Sequence, residues 1–144
     1  MPSAPEVLLA RCSVVGAAED PNYRQTVRCG RHSMLADERP AHGGADAGPT
    51  PFEYLLSALG SCTSITLRMY AERKRWNLGT VTVSLTIHQA PEGNRVERRV
   101  TLSAAVTTEQ ASKLAEICEK TPVTLALKAA TRISTSIGAS GHSP

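Results

Sequence analysis

Between Thr50 and Arg75 the sequence carries the marks of one long helix, and any fold must be arranged around it. Thr50 suits the N-cap, Pro51 the first helical position, and Glu53 completes a Thr-x-x-Glu capping box. Leu55, Leu59, Cys62 and Thr66 follow at helical spacing, beside a second row of Leu56, Thr63, Leu67 and Tyr70. About 25 residues at ~1.5 Å each give a rod of ~37 Å. Apolar and small residues occupy most of its circumference as far as Leu67, which predicts burial on nearly all sides. Such a helix belongs at the centre of its domain.

Alternation of apolar and polar residues predicts strands before it, over Val7–Val15, Tyr23–Cys29 and His32–Ala36, with Pro21-Asn22 and Gly30 as breaks. Asp37–Thr50 is too rich in Gly, Pro and Asp for regular structure, and a loop that long inside a small domain usually serves a site or a partner. After the helix, Val81–His88 alternates and Pro91-Glu92-Gly93-Asn94 turns the chain. A return strand places Val96, Val100, Leu102 and Ala104 on one face. A second helix covers about Glu109–Lys120, and Thr121-Pro122 stops it and can cap a short further helical segment to about Ala130. Arg132–Ile137 alternates as a last strand, and Gly138–Pro144 is expected to be a mobile tail. The result is one α+β domain over residues 1–144, of order β-β-β-α-β-β-α-β, with its ordered core at residues 6–137.

Composition excludes several classes. Hydrophobic residues are 41% and charged residues 20% of the 144, ordinary globular usage with one modest core. Val7-Leu8-Leu9-Ala10 is too short for a secretory signal or a spanning helix, so a cytoplasmic protein without a membrane partner is expected. The net charge of +3 is interleaved, and Arg73-Lys74-Arg75 and Arg95-Val96-Glu97-Arg98-Arg99 read as a solvated helix end and strand face. With aromatics at 3%, stacking platforms are scarce, and no nucleic-acid partner is expected.

The four cysteines, Cys12, Cys29, Cys62 and Cys118, form no CxxC pair and no zinc-ligand spacing, and mostly reduced thiols are the simplest reading. Cys12 shares an apolar strand face with Leu8 and Val14, which suits packing. Cys29 sits between Arg28 and Gly30-Arg31, where it is either an incidental strand-end thiol or one acidified by cations. Cys118 closes the second helix, whose terminal carbonyls disfavour a thiolate, so a resolving role suits it better than an attacking one. Cys62 lies within the long helix beside Gly60, which costs roughly 1 kcal/mol against Ala there. That glycine implies a close approach by some neighbour. Cys62 itself reads either as a small core hydrophobe or as a reactive sulfur.

The run Gly43-Gly44-Ala45-Asp46-Ala47-Gly48-Pro49-Thr50-Pro51-Phe52-Glu53, continuing to Cys62-Thr63, resembles the signature of the OsmC/Ohr family. Ala36-Asp37-Glu38 and Thr121-Pro122-Val123 extend the resemblance, which covers about Val7 to Ile137. It implies an intertwined homodimer with the long helices central and the active sites at the interface. It also implies reduction of small organic hydroperoxides by a reactive Cys62, renewed by an external thiol, with no metal, flavin or haem. The usual second cysteine falls on Thr121, and Cys118, one turn earlier, is the nearest substitute. The usual glutamate position falls on Phe52; Glu53 stands nine residues before Cys62, about half a turn around the helix, so capping competes with a catalytic role. Arg39 is the nearest partner arginine by spacing, with Arg28 and Arg31 as competitors. The competing function is a dimer on the same scaffold, without efficient turnover, that binds a small apolar or thiol ligand.

Overall fold

The structure, a computed structural model, describes residues 1–139. The chain divides into two compact units, Met1–Ser57 and Ala58–Pro144.

In the first unit, β1 (Cys12–Val15), β2 (Gln25–Cys29) and β3 (His32–Ala36) form an antiparallel sheet in that order. The expected first strand is shortened: it begins at Cys12 and not at Val7, and Val7, Leu8 and Leu9 are exposed. The ladder explains the loss. Cys12 pairs with Cys29, the last residue of β2, so earlier residues have only the Gly30-Arg31 turn opposite them. Asp37–Thr50 is irregular as expected apart from a 3-10 turn at Pro40–His42.

Asp37 organises that loop from within. It is 2% exposed, and its carboxylate accepts the amide hydrogens of Glu38 (2.8 Å), Ala47 (3.1 Å) and Ala45 (3.2 Å). A side chain on Gly44 would fall against the Glu38 carbonyl, so the loop closes this tightly only with glycine there. The backbone donors, Ala47 foremost, hold the Asp37 carboxyl below its ordinary pKa, against the opposing effect of burial. A depressed folded-state pKa stabilises the fold above the unfolded value of about 3.9 and is lost as pH falls through the folded value. The Ala45 and Ala47 amides are therefore expected to lose exchange protection in acid earlier than the strand amides of β2. Loss of protection at one common pH would contradict this.

The helix α1 spans Pro51–Lys74, and Thr50 Oγ1 accepts the Glu53 amide at 3.3 Å, the first half of the expected capping box. In the second unit, β4 (Val81–Ala90) and β5 (Gly93–Leu102) form a hairpin turned at Pro91-Glu92. Two helices follow, α2 (Thr108–Cys118) and α3 (Pro122–Lys128). The core joins Leu67 and Ala71 of α1 to Leu78, Leu114 and Cys118, with Tyr70 and Trp76 packed on it edge to face. Among the described residues no helix is long and apolar enough to cross a membrane.

Two expectations are corrected here. Arg132–Ile137 carries no strand, and Ile133 and Ile137 are exposed. Alternation says which face of a segment would be buried, but a strand also needs an edge to pair with. Residues 140–144 of the expected tail lie outside the described residues. The helix α1 is also not buried on nearly all sides within this chain. Leu59, Gly60, Thr63, Leu67 and Ala71 are buried, whereas Ile65 is 57% and Met69 59% exposed. One chain covers one face only.

Candidate active site

Cys62 lies at the margin between those two faces. Along α1 it shares a stripe with Ala58, Ile65 and Met69, each three or four residues from the next, while Leu59 and Thr63 beside it point into the core. Its sulfur is half-buried and not disulfide-bonded. The close approach implied by Gly60 is real: a Cβ there would meet Leu85 Cδ1 of β4 at 2.8 Å. This contact seats the hairpin against the turn of α1 that carries Cys62.

A buried arginine fixes the residue next to Cys62. Arg98 was expected on a solvated strand face, but its side chain is only 12% exposed. One guanidinium nitrogen donates to Thr63 Oγ1 (3.0 Å) and Thr124 Oγ1 (2.8 Å), and the other donates to the Cys118 carbonyl (2.9 Å). Glu119 adds a carboxylate oxygen at 3.7 Å. Arg98 thus ties α1, the end of α2 and the start of α3 together at one point. The signal was present in the sequence, since position 98 has the same strand parity as Val96, Val100 and Leu102. Its charge masked the pattern. A cleft of ≈ 320 Å³ opens between Arg98, Leu67, Leu114 and Cys118.

Thr121 and Cys118 complete this corner. Thr121 is fully buried, and its hydroxyl bonds the Thr124 hydroxyl at 2.6 Å instead of capping the α3 backbone. Cys118 is also buried and unbonded. Burial pushes its thiol pKa up, Arg98 opposes that effect and Glu119 adds to it. Cys118 is therefore a poor source of thiolate, and no bond joins it to Cys62 in this state.

Of the candidate arginines, Arg39 is the one that meets Glu53. The two side chains form an ion pair, and Arg39 also reaches Asp46 at 3.3 Å. Glu53 consequently gives its carboxylate to Arg39, leaving the capping box half made. Arg28 and Arg31 are exposed, on β2 and in the turn after it, and have no ion pair among the described residues. His32, His42 and His88 join no group able to hold a metal among the described residues; His142 lies outside them.

The expectation of mostly reduced thiols is corrected at the N-terminal sheet. Cys12 and Cys29 are joined by a disulfide, with Cα atoms 4.5 Å apart. The two reside opposite each other in the β1–β2 register, at the spacing of a non-hydrogen-bonded antiparallel pair, which lies within bridging distance. Sixteen residues separate the two along the chain, and only strand register brings them face to face.

The model of the family described as OsmC-like protein matches residues 43–136, and the chain belongs to the OsmC family. No curated protein matches its sequence. Solved structures agree on the fold. An OsmC-like protein from Mycoplasma pneumoniae is 17% identical with a TM-score of 0.71, over 84% of this chain and 88% of that one. An organic hydroperoxide resistance protein from Elizabethkingia anophelis is 20% identical with a TM-score of 0.63, over 87% and 91%. Another organic hydroperoxide resistance protein, OsmC from Legionella pneumophila, is 16% identical with a TM-score of 0.63, over 86% and 92%.

Proposed function

We propose that this chain is a cytoplasmic, thiol-dependent reductase of small organic hydroperoxides, acting as a homodimer through Cys62. The observation that carries the reading is the half-buried, unbonded Cys62 set along an apolar stripe whose Ile65 and Met69 lack cover in one chain. A second copy laid on that stripe would bury the apolar surface and wall the sulfur into a cleft suited to an alkyl hydroperoxide. In the reaction the Cys62 thiolate attacks the outer peroxide oxygen. A sulfur–oxygen bond forms, the oxygen–oxygen bond breaks, and the alkoxide takes a proton to leave as an alcohol. An external thiol then attacks the sulfenic acid and expels water, and a second thiol releases the disulfide and restores Cys62. Burial of Cys118, with its raised pKa, favours this external resolution over an internal Cys62–Cys118 bond.

A test uses one equivalent of cumene hydroperoxide on the protein with its free thiols reduced, followed by peptide mass spectrometry. Sulfenic acid on Cys62 is the expected product, trapped by dimedone. A Cys62–Cys118 link would move the resolving step to Cys118. An unmodified Cys62 beside oxidised bulk thiols would eliminate the enzyme and leave the second reading, a dimer that binds a small apolar or thiol ligand. Thr121 favours that reading, because its fully buried hydroxyl occupies the position of the expected second cysteine. Sedimentation at micromolar concentration tests the dimer, and a compact monomer would remove the proposed cleft.

A further inference from the structure

The Cys12–Cys29 disulfide is placed unlike a buried staple. Cys12 is exposed and Cys29 half-buried. The bond crosses β1, an edge strand, at the end of the ladder where β1 begins and β2 ends. Beyond it stands only the Gly30-Arg31 turn, so the chain offers little backbone to screen the sulfurs. The ladder also pairs Ser13 with Arg28, Val14 with Val27 and Val15 with Thr26, none of which involves the sulfurs. Cys29 is also paired in register with His32 of β3, and Arg28 and Arg31 flank it in the chain. His32, opposite Cys29 in the register, shares its face of the sheet, whereas Arg28 projects to the other.

We propose that Cys12–Cys29 is a thiol-exchange site of this protein, opened and closed by small monothiols while the fold stays intact. An incoming thiolate attacks Cys12 Sγ, the more exposed sulfur. A bond forms between the two sulfurs, the Cys12–Cys29 bond breaks, and Cys29 leaves as a thiolate that takes up a proton. A second monothiol attacks the mixed disulfide on Cys12 and is released joined to the first. Two monothiols are oxidised to their disulfide, and Cys12 and Cys29 are reduced to thiols. The ladder keeps the reduced pair opposite each other, so the oxidised monothiol reverses the sequence by the same route.

The experiment places the full chain in buffers of reduced and oxidised glutathione, quenches in acid, alkylates, and maps the Cys12 and Cys29 peptides. Circular dichroism monitors the fold throughout. The expected result is loss of the linked peptide in millimolar reduced glutathione, its return in oxidised glutathione, and an unchanged spectrum. The variant Cys29→Ser is expected to take one glutathione on Cys12 about tenfold faster than Cys12→Ser takes one on Cys29. A link that opens only in denaturant, or only together with loss of the spectrum, would overturn the proposal. Because the readout is confined to these two peptides, the outcome is separate from whether Cys62 reacts with hydroperoxides.

Discussion

Cys62→Ser is expected to abolish hydroperoxide consumption, lowering kcat/KM by about 10³-fold or more, because a serine hydroxyl cannot replace a thiolate as the acceptor of a peroxide oxygen. The fold should tolerate the change. The side chain is half-buried on the margin of α1 and lies outside the buried cluster around Leu67. A stability loss of no more than ~1 kcal/mol is expected. Peroxide consumption with a dithiol reductant and a denaturant titration measure the two quantities. Retention of a tenth of the activity by Cys62→Ser would move the chemistry to another sulfur. The companion variant Cys118→Ser separates the resolving routes: with external resolution, turnover falls only as far as the loss of a buried thiol loosens the core.

The second large effect is expected at Arg98. Arg98→Ala removes three hydrogen bonds from a cationic donor that is almost out of water, at Thr63, Thr124 and the Cys118 carbonyl. Bonds to charged groups contribute about 1.5–3 kcal/mol each when buried, but they do not simply add. Thr63 keeps its bond to the Leu59 carbonyl, and Thr124 keeps its contact with the Cys118 carbonyl. A net loss of about 3 kcal/mol follows, and a fall in Tm of roughly 10 °C. Arg98→Lys retains the charge without the planar fork and should lose about half as much. Thermal unfolding decides it, and a Tm within about 2 °C of the parent for Arg98→Ala would show that the arginine is not the clasp.

Local patterns announced the parts of the fold that close on themselves. Thr50-Pro51 started α1 where expected, the β4–β5 hairpin turns at Pro91-Glu92, and Pro122 opens α3. Each of these rests on neighbours in sequence. Facts that depend on what lies across space were hidden. Arg98 looked solvated because charge outweighed parity, although Val96, Val100 and Leu102 set the face. Cys12 and Cys29 looked unrelated because a residue-by-residue reading contains no register. Val7–Leu9 and Arg132–Ile137 alternate well but pair with no strand among the described residues. The Arg39–Glu53 pairing was among the alternatives that spacing offered, whereas the burial of Thr121 and Cys118 had no local signal.

The uneven exposure of the four sulfurs has a practical use. Two are tied to each other and a third is packed among Leu67, Leu78 and Leu114, leaving Cys62 as the open free thiol. A maleimide dye offered to the native, non-reduced protein should therefore attach once per chain and on α1. That gives a spectroscopic reporter beside the proposed reaction centre without prior mutagenesis.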